Sequence, residues 1–147
     1  MSGAAAVNPG ESVERSLLKW IPVLVWAIVI FGLSTSYFSA ENTSKFIDPI
    51  LHLLMPGASA ATVALAHGFV RKAAHFTNYA ILFWLLISGP LRERPYLAFG
   101  LCVLYALLDE GHQMLVTSRT PSLYDVALDS TGALFSAFLH AAVIEIA

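Results

Sequence analysis

The chain has 147 residues, 57% of them hydrophobic and only 12% charged, with a mean hydropathy of +0.70. A soluble domain carries about 25% charged residues, so the composition points to an integral membrane protein. The net charge of -2, without any basic tract, argues against a nucleic-acid partner. A single cysteine, Cys102, excludes an intramolecular disulfide framework and argues against a thiolate metal cluster.

In chain order, residues 1–15 read as a disordered tail, small, polar and unpatterned at its start, and residues 16–147 as one domain. A helix needs about 20 apolar residues to cross the roughly 30 Å hydrocarbon core. Four segments qualify: 17–34, 69–88, 96–116 and 125–146. Pro22 lies near the start of the first, where neighbouring helices can accommodate it. A signal peptide competes for this segment, with Arg15 and Lys19 as its basic region and Ser34-Thr35-Ser36 as its cleavage site. Glu11, Glu14 and the length of the apolar run favour a retained span. Between the first two spans, 46–55 is too short to cross and is expected to lie on the membrane surface. The Ala-rich stretch 58–66 should start the second helix early. Gly89-Pro90 ends that helix, and Pro121-Ser122 with Asp125 reads as the start of the last.

Lys and Arg in the flanks set direction. Arg15 and Lys19 mark one side, and Arg92 and Arg94 mark the same side if there are four spans. Both termini are then cytoplasmic, in a multi-pass membrane protein. With that threading, three polar insertions meet at the extracytoplasmic end. Arg71, Lys72 and His75 open span two; Asp109, Glu110, His112 and Gln113 end span three; Asp125 and Asp129 open span four, with Arg119 in the loop between. Each ionisable group at mid-bilayer costs roughly 2.5–3.5 kcal/mol, so a shared polar interior is expected.

Helical spacing groups them further. Arg71, His75 and Asn78 form one stripe, and Lys72, His75 and Tyr79 its neighbour. Asp109, His112 and Gln113 share a face, as do Asp125, Asp129, Gly132 and Ser136. Glu110 and Asp109 can both face inward only if span three has two protein neighbours. Several roles stay open for the cluster. It could be a buried ion-pair lattice, with Arg71, Lys72 and Arg119 against the carboxylates, although such pairs often only break even. His75 or His112 could act as acid or base with its tautomer held by Asp109 or Glu110. Arg71, Lys72 and Arg119 could cradle an anion. A metal site is disfavoured because Asp109/Glu110-x-His112 is no zinc motif and the nearby cations oppose one. His52, His67 and His140 read as interfacial or packing residues.

These motifs resemble the VanZ-like family: Arg71-Lys72-x-x-His75-Phe76-x-x-Tyr79, then Tyr105-Ala106-x-x-Asp109-Glu110-x-His112-Gln113, then Arg119 and Asp125-x-x-x-Asp129-x-x-Gly132. Leu33-Ser34-Thr35-Ser36 is similar to the family's serine-rich segment. Asn78 stands where the family often has an acidic residue, and Ser136 where it often has glycine. The resemblance implies a small bacterial membrane protein of the cell envelope, related to one that contributes to lipoglycopeptide resistance. The expected architecture is an all-α, four-helix membrane bundle with a short interfacial helix. Its expected function is to bind or modify an anionic lipid or precursor headgroup. His75, Asp109, Glu110, His112, Gln113 and Asp125 are the candidate catalytic residues. Arg71, Lys72, Arg119, Asp129 and Tyr79 are the candidate ligand-binding residues. No cofactor or metal is expected, and an oligomer is compatible with the sequence. The alternatives are a proton- or ion-coupled transporter, an accessory membrane subunit, and a structural partner in a larger assembly.

Overall fold

The computed structural model describes residues 9–115 and 122–146, with side chains at 13–115 and 122–143. Among the described residues the fold is all-helical: α1 Pro9–Leu18, α2 Ile21–Ser34, a short 3-10 turn Ser36–Phe38, α3 Ala40–Leu54, α4 Ala60–Ser88, α5 Pro95–Gln113 and α6 Leu123–Ile146. Among the described residues two stretches are long and apolar enough to cross a membrane, Val13–Ser34 and Leu123–Val143. The polar insertions in α4 and α5 dilute their apolar character.

Local chemistry explains the boundaries. Ser39 and Ser59 cap α3 and α4, accepting from the Asn42 and Thr62 amides at 3.4 and 3.2 Å. Pro22 and Pro95 occupy the first turns of α2 and α5, where a missing N–H is harmless. Gly57 has a φ of 85°, the left-handed backbone that turns α3 back into α4.

Three expectations change. Residues 9–15, assigned to a disordered tail, are helical: Val13, Leu17 and Leu18 give α1 an apolar side. The first apolar run also breaks into a turn at Lys19-Trp20, because Pro22 cannot donate the amide that would continue the ladder from Leu18. The surface segment expected at 46–55 is part of a longer helix, α3, that starts at Ala40.

The long helices alternate in direction. Trp26 Nε1 in α2 donates to the Asn78 carbonyl in α4 at 2.9 Å, and Gly89 at the far end of α4 lies against Lys19. The Tyr105 hydroxyl in α5 donates to the Ala27 carbonyl at 2.7 Å, while Phe31 meets His112, so α2 and α5 run the same way. Lys72, His75 and Phe76 of α4 face Asp125, Asp129 and Gly132 of α6 in ascending order, so these two also run together. The core fills the centre with Val23 and Ile30 from α2, Leu82, Phe83 and Leu86 from α4, and the small residues Ala98, Cys102 and Ala106 from α5.

The tightest contact is between α4 and α6. A Cβ on Gly132 would overlap the Phe76 carbonyl oxygen and sit 2.9 Å from its carbon. Gly132→Ala should therefore push the helices apart and destabilise the protein by about 1–3 kcal/mol. Gly100→Ala in α5, where nothing lies within 4 Å, should be neutral or stabilising by up to about 1 kcal/mol. Thermal unfolding in detergent compares the two; equal losses would contradict the close contact.

Candidate functional site

All three polar insertions lie at the same end of the helices, opposite Lys19 and Gly89. On α4 and α6 the pairing follows the helical stripes. His75 Nδ1 stands 3.3 Å from Asp129 Oδ1, and Asp129 is 0% exposed. The approach is off the hydrogen-bond line, so neither Asp129 oxygen has a hydrogen-bond partner. Lys72 Nζ is 3.7 Å from Asp125 Oδ1 and 4.3 Å from the centre of the Tyr124 ring. This pair is substantially exposed, and such pairs contribute little. It reads as a rim contact.

On α5 the carboxylates diverge. Asp109 is buried, and its Oδ2 accepts from Gln113 Nε2 at 3.1 Å, one turn on. Its Oδ1 has no partner. Glu110 is also buried, and its Oε2 accepts the Ser122 amide at 2.7 Å, fixing the approach to α6. Half of the Glu110 carboxylate is thus occupied by backbone. Both acids face protein because α5 packs against α2, α4 and α6 together. His112 lies against the Phe31 ring, with centroids 4.7 Å apart, and its Nδ1 is unpartnered. It therefore does not share Asp109 with Gln113.

Arg71 departs from the expected carboxylate pairing. Its Nη1 donates to the Phe38 carbonyl at 2.9 Å and to Thr43 Oγ1 at 3.3 Å, tying α4 to the segment after α2. Behind this contact is a second polar chain that residue patterning missed. Thr43 Oγ1 donates to the Ser39 carbonyl at 2.8 Å and stands 3.1 Å from His67 Nε2. His67 Nδ1 in turn is 3.1 Å from Asp48 Oδ1. His67 is buried and holds Thr43, which receives Arg71. The available signal was the i, i+4 spacing of His67 and Arg71 on one face of α4.

Between these groups is a cavity of about 150 Å³. Apolar walls from α2, α3 and α4 enclose it, and Arg71, His75, Asn78, Tyr79, Ser34 and Asp109 supply its polar lining. Tyr79, a candidate ligand-binding residue, is 1% exposed and its hydroxyl has no partner. Among the candidate site residues, Arg71, His75, Tyr79 and Asp109 share the cavity. Asp129 stands behind His75; Lys72 and Asp125 form the rim; Glu110, Gln113 and His112 lie beside it. Arg119 falls outside the described residues. Also among the described residues, no group of three or more His, Cys, Asp and Glu side chains could hold a metal ion.

Comparison with known proteins gives one result. The searches of curated proteins and of solved structures found no match. A family profile described as VanZ/LLP1 matches residues 19–144, from the start of α2 to the last turns of α6. That interval contains every helix contributing to the cavity and all the polar insertions. The chain belongs to the VanZ/LLP1 family.

Proposed function

We propose that this VanZ-like protein crosses the bacterial cytoplasmic membrane four times, with both termini inside, and binds the anionic headgroup of a lipid or envelope precursor at its outer end. The observation that carries this reading is the one-sidedness of its polar groups. Arg71, His75, Asp109, Glu110, Asp125 and Asp129 gather at one end, whereas among the described side chains the charges towards the other lie on α1, at helix ends and in loops: Glu14, Arg15, Lys19, Arg92, Glu93 and Arg94. A transporter needs polar groups through both halves of its path, so a one-sided site favours binding from a single leaflet.

The outer surface supports four spans. Ile28 on α2, Phe69 on α4, Leu108 on α5 and Phe138 on α6 are 70%, 73%, 61% and 68% exposed. Apolar surface around every long helix suits lipid and would be a liability in water. Arg71 partly lines the cavity, and a guanidinium has five N–H donors in a planar fork, well suited to phosphate. Any proton transfer to the bound group falls to His75, which lines the same cavity with its Nδ1 beside Asp129. A protein that occupies outer-leaflet headgroups would alter what a lipoglycopeptide meets at the cell surface, which links this reading to the resistance seen in the family's namesake.

Threading is tested by cysteine labelling in intact cells. A cysteine at Arg92 or Arg94 should resist an impermeant thiol reagent, and one at Leu115 or Ser122 should react. Native Cys102 is buried and should stay silent. The reverse pattern would put the site on the cytoplasmic side. Headgroup binding is tested with purified protein and phosphatidylglycerol, read by native mass spectrometry. Arg71→Gln should weaken binding by about tenfold, the scale of a hydrogen bond to a charged group. Lys72→Gln at the exposed rim should change it by less than about threefold. Unchanged binding in Arg71→Gln would reject the headgroup site.

A further inference from the structure

The floor of the cavity differs chemically from its rim. Arg71 is half-buried at the edge beside Phe38, which is 46% exposed. Three deeply buried oxygens lie farther in: Ser34 Oγ, Tyr79 OH and Asp109 Oδ1, on residues 3%, 1% and 5% exposed. Each lacks a hydrogen-bond partner. They come from α2, α4 and α5, three helices whose residues line the same cavity. An unsatisfied buried polar group costs about 1–3 kcal/mol, more when charged, and three around one cavity call for an occupant.

The chemistry of the occupant follows from the atoms. All three are oxygens that can accept, and one bears the charge of a carboxylate. The other charged groups facing the cavity are Arg71 at the rim and His75, itself opposite Asp129. Among the described residues, Asp109 is in an ion pair with no cation: its other oxygen is bound by the neutral amide of Gln113, and His75 stands closest to Asp129. A primary ammonium carries three donors and one positive charge. It matches the three oxygens in number and Asp109 in charge. A quaternary ammonium has the charge but no donors. The cavity could hold about five waters at roughly 30 Å³ each, which accommodates a short aminoalkyl group.

We propose that the cavity seats the primary ammonium end of a zwitterionic phosphoethanolamine-type headgroup, with its phosphate at Arg71. The proposal rests on the phosphate contact at Arg71 in the headgroup reading above and changes the class of headgroup from a net anionic one to a zwitterionic one bearing an amine. Ser34, Tyr79 and Asp109 receive the ammonium, Arg71 receives the phosphate, and the apolar wall of Ile30, Leu33, Ile47 and Val70 covers the methylenes between them.

The test compares short-chain phosphatidylethanolamine, phosphatidylcholine and phosphatidylglycerol on the purified full chain in detergent, read by native mass spectrometry and thermal shift. Phosphatidylethanolamine should bind about tenfold more tightly than either of the others. Asp109→Asn should abolish that preference while phosphatidylglycerol binding persists. Tyr79→Phe, which removes one oxygen and keeps the ring, should reduce the preference by about threefold, a check if Asp109→Asn folds poorly. Soluble phosphoethanolamine competing as strongly as the lipid would identify a free metabolite as the source; failure to compete would identify the lipid. Equal binding of all three lipids, or a preference that survives both substitutions, would overturn the ammonium seat and leave general headgroup binding intact. No binding of any lipid, with Arg71→Gln also without effect, would overturn both.

Discussion

The contact between Gly132 and the Phe76 carbonyl sets the register of the whole polar end. Without a side chain at 132, α6 approaches the α4 backbone closely enough that one turn earlier His75 meets Asp129, and a further turn out Lys72 meets Asp125. A larger residue would separate the helices where their charged groups are pairing. In a low-dielectric interior, distance decides whether a carboxylate is compensated, so the glycine governs the electrostatics without carrying any charge.

Against that register, the incomplete pairing of the acids is informative. A lattice built for stability would close every oxygen, because breaking a buried pair costs about 3–5 kcal/mol. Here Asp129 has His75 nearby but no hydrogen bond, and Asp109 keeps an oxygen open towards a cavity. Glu110 also leaves one oxygen, Oε1, without a partner, and differs in giving the other to a backbone amide, that of Ser122. Three acids that look alike in the chain thus divide into a positioning group, a wall of the cavity and a backbone clamp.

Much of this was legible in the sequence, for a physical reason. Ionisable residues stand out against an apolar background, and helical spacing says which of them share a face. The stripes Lys72-His75-Tyr79 and Asp125-Asp129-Gly132-Ser136 accordingly hold the groups that approach one another, Lys72 with Asp125 and His75 with Asp129. What could not be read was the partner of a residue whose choices were tertiary. Arg71 had four acids within its expected reach, yet it bonds a carbonyl in the turn after α2 and a threonine of α3. His67 looked like packing because Asp48 and Thr43 are distant in sequence and come near only when Gly57 folds α3 back. The break at Lys19-Trp20 was masked by the continuous hydropathy around it.

The Glu110 clamp reaches beyond the site. By joining the last turn of α5 to the amide just before α6, it closes the connection between the two helices at its base. Lengthening a closed loop is inexpensive, about 0.6 kcal/mol per doubling. Residues added to that connection would therefore cost little in closure entropy so long as the clamp holds, while the carboxylate that makes the clamp has no such latitude.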